Sequence, residues 1–117
     1  MSNPTVIAVV VAWNRAQLLR ETLDGLASQT RPLDGVVVVD NASSDETPQL
    51  IASHPVVTNV VTLPQNYGGA GGFAAGIARA MTLGADLVWI MDDDTIPTPT
   101  ALEVLLRTRE EYPGVPA

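Results

Sequence analysis

Three consecutive aspartates, Asp92, Asp93 and Asp94, follow five apolar residues, Leu87 to Met91. The apolar run reads as a buried parallel strand. The carboxylates then fall at its carboxyl end, where open α/β sheets bind their ligands. Adjacent like charges repel, and a bound cation relieves that cost. Oxygen-only donors of this kind suit Mg²⁺ or Mn²⁺. A single aspartate here would read as a charged turn. Three in a row, with Thr95-Ile96-Pro97 behind them, favour a metal site.

Other residues could do chemistry beside them. Asp40 follows four valines and precedes Asn41. Its carboxylate can accept hydrogen bonds from a ribose or a base imide N–H, or it can cap the next helix; both readings stay open. Asn66-Tyr67-Gly68-Gly69-Ala70-Gly71-Gly72 reads as a glycine-rich loop whose N–H groups can meet phosphate oxygens. Gly72 and Gly76, at i and i+4, equally suit a small helix face packed on a sheet, and the two roles are compatible. Trp13 can stack on a nucleobase, although alone it reads as an aromatic at the rim of the core. Arg15 lies near a helix start, where the dipole does not favour a cation, so an anionic ligand is a natural partner. His54 reads as an exposed helix-end residue, and Arg79 and Glu110-Glu111 as solvent-facing.

Composition removes several chemistries. There are no cysteines, which excludes disulfides, zinc–thiolate sites and thiol catalysis. There is no lysine, which excludes Schiff-base chemistry and the Walker phosphate loop. Gly69 to Ala74 fits the loose dinucleotide pattern. That fingerprint belongs in the first strand-to-helix turn, whereas here it follows the third strand. Asp92-x-Asp94 also fits a haloacid-dehalogenase-type phosphatase with Asp92 as nucleophile. That family's nucleophile usually sits on the first strand and works with a downstream lysine, and both expectations fail. A net charge of −7 argues against a nucleic-acid partner.

These residues need a scaffold, and 117 residues suffice for one domain spanning 1–117. Strands are expected at Thr5–Ala12, Gly35–Asp40, Val56–Leu63 and Asp86–Met91. Asn14 and Gln17 read as a capping box for the first helix, with Leu18, Leu19, Leu23 and Leu26 as its buried stripe and Arg31-Pro32 as its stop. Ser43 to Glu46 reads as a second capping box, opening a helix through Ala52. A third helix is expected over Phe73–Leu83. Thr98-Pro99 starts a fourth, with Leu102, Leu105 and Leu106 as its apolar face and Pro113–Ala117 as a tail. The order βαβαβαβα predicts a three-layer α/β fold, a mostly parallel sheet with helices on both faces. Trp13-Asn14, Asp40 and the aspartates would all project from one edge.

Four segments together resemble the amino-terminal half of a family 2 glycosyltransferase with the GT-A, Rossmann-like fold. They are Val9 to Arg15, Val38 to Asp45, Asn66 to Phe73 and Trp89 to Asp94. The glycine segment followed by Trp-x-Met-Asp-Asp-Asp is similar to bacterial galactofuranosyltransferases, although rhamnosyltransferases share much of it. The resemblance implies inverting transfer of a sugar such as galactofuranose from a UDP-sugar to a glycan or lipid-linked glycan acceptor. Val11, Trp13 and Arg15 would line the uracil pocket and Asp40 would bind the uracil ring. Asn66 and Gly69 would touch the nucleotide. The aspartate triplet would hold ribose and a divalent metal, Mn²⁺ or Mg²⁺, on the diphosphate, with Asp92 and Asp93 among the substrate-binding residues and Asp92 and Asp94 as the metal ligands.

The resemblance places the general base and acceptor site downstream of the triplet, where this chain has one helix and a tail. The expectation is therefore a donor-binding part of a longer enzyme, with exposed apolar surface and homodimerisation. A non-catalytic nucleotide-binding or interaction module is the second reading. The expected location is cytoplasmic, with the full-length protein peripheral at the inner face of the plasma membrane.

Overall fold

The computed structural model describes residues 3–111. Four strands alternate with four helices: β1 (Val6–Ala12), α1 (Ala16–Ala27), β2 (Gly35–Asp40), α2 (Thr47–Ser53), β3 (Asn59–Thr62), α3 (Gly68–Thr82), β4 (Leu87–Asp92) and α4 (Ala101–Glu111). The sheet order is β3-β2-β1-β4, and every pairing is parallel. The chain steps outward through β1, β2 and β3, then crosses back to lay β4 on the other side of β1. Because right-handed crossovers put helices on one face going out and on the other coming back, α1 and α2 share a face opposite α3. The reversal between β1 and β4 is the topological switch point, where ligands bind in such sheets.

Unbroken valine runs make β1 and β2 fit a sheet covered on both sides, and every residue of both is buried. Alternate residues feed two cores. Ala8, Val10, Ala12, Val36 and Val38 meet Leu19, Leu23 and Leu26 of α1 and Leu50 and Ile51 of α2. Val9, Val11, Val37 and Val39 face α3 through Ala80 and Phe73. On α3 the small residues Gly72, Gly76 and Ala80 recur every fourth position and are buried. A Cβ on Gly72 would sit 2.7 Å from Val11 Cγ1, and one on Gly76 would strike Val9 and Val39. Close helix–sheet approach therefore accounts for these two glycines.

Several local expectations need correction. The glycine-rich stretch is not a loop: Gly68 to Gly72 form the first turns of α3. Asn14 does not cap α1. It sits at a left-handed φ of 50° and turns its Oδ1 to the backbone N–H groups of Ser44 (2.7 Å) and Asp45 (3.3 Å). The acceptor at the amino end of α1 is instead Asp45, whose Oδ2 takes the Ala16 N–H at 3.4 Å. Ser43 likewise accepts from Asn14 N rather than capping α2, which starts only at Thr47. A chain of side-chain acceptors thus clasps the β1–α1 and β2–α2 turns together. Of the leucine stripe, Leu18 is exposed; Leu19, Leu23 and Leu26 are buried. The first helix ends at Ala27, before Arg31-Pro32, and β3 is four residues long. The last helix starts at Ala101, three residues past Thr98, and of its leucines Leu102 alone is buried, with Leu105 exposed. His54 is not an exposed residue. Its ring is tucked between Asp24, reached by Nε2 at 2.8 Å, and the Val56 N–H, which donates to Nδ1 at 3.2 Å. Pro113–Ala117 lies outside the described residues.

Candidate functional site: a cavity at the switch point

The carboxyl ends of β1 and β4, the turn after β2 and the start of α3 enclose an open cavity of about 380 Å³. From β1 and its turn come Val11, Trp13 and Arg15. Asn41 comes from the turn after β2. Asn66, Gly68 and Gly69 come from the entry to α3, and the three aspartates from the end of β4. Seven of the residues expected to bind substrate therefore converge here, together with Asp94. One does not.

That one is Asp40. It is 3% exposed, and its Oδ1 accepts the Ser43 N–H at 2.9 Å. It borders a different cavity, with Ser43, Pro48 and Ile51. As the last residue of a strand paired on both sides, it follows the alternation of the pleat away from the donor cavity. Its neighbour Asn41 lines the cavity at the switch point. Asn41 Oδ1 accepts Tyr67 N at 3.0 Å and Nδ2 donates to Gly68 O at 3.0 Å, which ties the β2 turn to the start of α3. Each amide group retains one lone pair or one N–H for a ligand. In the sequence Asn41 reads only as the neighbour of Asp40; strand parity is the signal that places the two side chains on different cavities.

The aspartates divide by role. Asp93 is buried, accepts the Trp13 N–H through Oδ2 at 3.0 Å and lies 3.8 Å from the Arg15 guanidinium. Burial pushes its pKa above the usual carboxylate value. The Trp13 N–H and Arg15 oppose that shift, and Asp94 and Asp92 add to it. Asp93 therefore braces the wall that carries Trp13, and it also lines the cavity. Asp94 is exposed and pairs with Arg15 at 3.1 Å, and Asp92 is exposed at the strand end. Trp13 is 48% exposed, an aromatic face open to the cavity rather than a filler of the core rim. Gly69 has no atom within 4 Å of an added Cβ, so open space rather than packing lies beside it.

Among the described residues no group of three His, Cys, Asp or Glu side chains is arranged to hold a metal ion. Asp92, together with the Asp94 oxygen that Arg15 does not take, is a donor set that fits an oxygen-preferring divalent ion whose remaining ligands come from a bound molecule.

A doubly covered parallel sheet in this strand order, with a cavity at its switch point, is the architecture of GT-A glycosyltransferases. The chain belongs to glycosyl transferase family 2, whose family model matches residues 7–115. Galactofuranosyltransferase GlfT1 of Mycobacterium tuberculosis is 41% identical over 111 residues, 92% of this chain and 36% of that protein. The protein of the same name from Mycolicibacterium smegmatis is 42% identical over 97 residues, 83% of this chain and 32% of its own length. The chain thus spans about a third of the curated relatives it matches. Among solved structures, S. aureus TarS in complex with UDP superposes with a TM-score of 0.80 at 25% identity, covering 92% of this chain and 32% of that one. The mannosyltransferase PcManGT from Pyrobaculum calidifontis, in complex with GDP-Man and Mn²⁺, gives 0.69 at 32% identity, covering 80% and 28%. Among the described residues no helix is long and apolar enough to cross a membrane.

Proposed function

We propose that this chain is the donor-binding unit of an inverting, metal-dependent glycosyltransferase that uses a UDP-sugar. The observation that carries the reading is the convergence of Trp13, Asn41 and the exposed pair Asp92 and Asp94 on one cavity at the switch point. Trp13 and Val11 form the apolar wall for the uracil. Asn41, as buried as Asp40 but lining this cavity, offers the ring a donor and an acceptor. The entry to α3 at Asn66 and Gly69 lies open for close approach of the nucleotide. Arg15, already paired with Asp94, is the cation nearest an anionic ligand. Asp92 and Asp94 would hold Mn²⁺ or Mg²⁺, which supplies Lewis-acid neutralisation of the departing diphosphate. Similarity to the GlfT1 proteins favours galactofuranose as the sugar and a cell-wall glycan, free or lipid-linked, as the acceptor.

Calorimetry with UDP, GDP and ADP, each in excess Mn²⁺ and in EDTA, tests the reading. UDP is expected to bind most tightly, and only with metal present. Equal affinity for all three nucleotides would remove the uracil assignment. Equal UDP affinity in EDTA and Mn²⁺ would remove the metal. Transfer of galactofuranose from its UDP donor by the full-length protein tests the sugar.

A further inference from the structure

The aspartates are followed by a stretch, Asp93 to Thr100, that belongs to no strand or helix. Its carbonyls need partners, and α1 with the turn after it supplies them. Thr22, fully buried, donates Oγ1 to the Asp93 carbonyl at 2.9 Å. Gly25 lies against Pro97: a Cβ there would come within 2.9 Å of Pro97 Cδ and 3.1 Å of its carbonyl oxygen. Gln29, also buried, donates Nε2 to Thr98 O at 2.7 Å and accepts the Leu102 N–H through Oε1 at 3.0 Å. The Thr30 N–H reaches Pro99 O at 2.8 Å.

Thr22 and Gly25, at i and i+3, lie on one side of α1, and Gln29 follows in the turn after the helix. None of the three borders the donor cavity. The first of them nevertheless acts on it directly. The residue whose carbonyl Thr22 holds is the one whose carboxylate receives the Trp13 N–H. The line from α1 to the cavity wall is therefore one hydroxyl, one residue of backbone and one carboxylate.

We propose that Thr22 and Gln29 are positioning residues: they fix the aspartate-bearing segment on α1 and so set Asp92 to Asp94 against the Trp13–Arg15 wall. The consequence for ligand binding rests on the donor-site reading above; the placement itself does not.

Thr22→Val keeps the shape and removes the donor, while Thr22→Ser keeps the donor. Amide hydrogen exchange by NMR on the ligand-free protein reads the placement. In Thr22→Val the Trp13 and Thr95 amides should exchange about tenfold faster relative to those of Val37 to Val39, the size of one lost buried hydrogen bond. Thr22→Ser should match the wild type. Gln29→Leu should speed exchange at Leu102 most and at Trp13 less. Calorimetry with UDP and Mn²⁺ should show Thr22→Val weakened by roughly three- to tenfold and Thr22→Ser restored. If Thr22→Val exchanges like the wild type, or changes only in step with Val37 to Val39, or if Thr22→Ser is no better than Thr22→Val, the proposal is overturned. Should Thr22→Val not fold, Gln29→Leu carries the comparison, with Leu102 and Thr95 set against Val37 to Val39. A wild type that does not bind UDP would defeat the donor reading, and the exchange results would still decide the placement.

Discussion

β2 and β4 are both six-residue, mainly apolar strands ending in aspartate, and their carboxylates meet opposite fates. β2 lies between β1 and β3, with helices over both faces. Its Asp40 is sealed in and spent on the Ser43 N–H. β4 is an edge strand paired only with β1, its Ile90 is half exposed, and its Asp92 opens onto the donor cavity. The same local pattern gives a structural brace in the middle of the sheet and a candidate ligand at the switch point. What decides between them is the strand's neighbours, together with the parity of the residue along the pleat. Within the triplet the division repeats at smaller scale: Asp93 turns inward to Trp13, and Asp92 and Asp94 remain outside.

The largest effect that would break this contrast is on stability. Asp40→Ala leaves the Ser43 N–H without its acceptor and removes a buried, charge-assisted bond. It should cost about 2–3 kcal/mol in urea denaturation. Asp92→Ala should stay within about 0.5 kcal/mol, as exposed substitutions usually do. Asp40→Asn retains an acceptor oxygen and should recover most of the loss. Equal, small losses at Asp40 and Asp92 would mean that the two strand ends are not different in kind.

Ligand binding should show the reverse order. Asp92→Ala and Asp94→Ala should each weaken UDP binding at least tenfold in Mn²⁺, about 1.4 kcal/mol, and make no difference in EDTA. Their melting curves should stay close to the wild type, because the Asp94–Arg15 pair is solvent-exposed and such pairs contribute little. Asp40→Ala, measured where it is still folded, should bind UDP nearly as the wild type does. A tenfold loss in that variant, with Asp92→Ala unaffected, would return the base-reading role to Asp40.

The architecture was legible because its signals are long-range in sequence and redundant. Valine runs announce doubly buried strands, and an alternating βα order with crossover-length connections leaves few topologies. The site was legible as a set of loops for the same reason: all strands are parallel, so their carboxyl ends share one edge. What sequence patterns could not separate was which atom faces which neighbour. Asn14 and Ser43 have the composition of helix caps, and both were recruited by a neighbouring turn brought close only by the fold. The stretch Gly68 to Gly72 carries the composition of a loop, yet it is helical, and packing of Gly72 on Val11 and of Gly76 on Val9 holds α3 against the sheet despite the low helix propensity of glycine. Thr22 and Gln29 had no signal at all, since a buried polar residue on a helix or in the turn behind it reads as ordinary until its partner is known.

The smallest effect is on pH dependence, and there the turn after β2 and the end of β4 should pull in opposite directions. Asp45, in the clasp beyond β2, is held below the usual carboxylate value of 3.8 by the Thr47 side chain. Burial opposes this, and the backbone N–H groups of Thr47 and Ala16 support it. Its native form releases a proton more readily than the unfolded chain. Its stabilising contribution is therefore complete above 3.8 and is lost as pH falls through the lower folded value. Asp93, pushed up by burial, binds its proton more tightly when folded. Its contribution is fullest below 3.8 and fades as pH rises from there through the raised folded value. Urea denaturation of metal-free protein between about pH 2.5 and 5.5 measures both. The advantage of the wild type over Asp45→Asn should shrink toward acid, and its advantage over Asp93→Asn should grow. If both differences moved the same way, the inward carboxylate of the triplet would be braced like those beyond β2, and burial at the edge strand would not be what sets it apart.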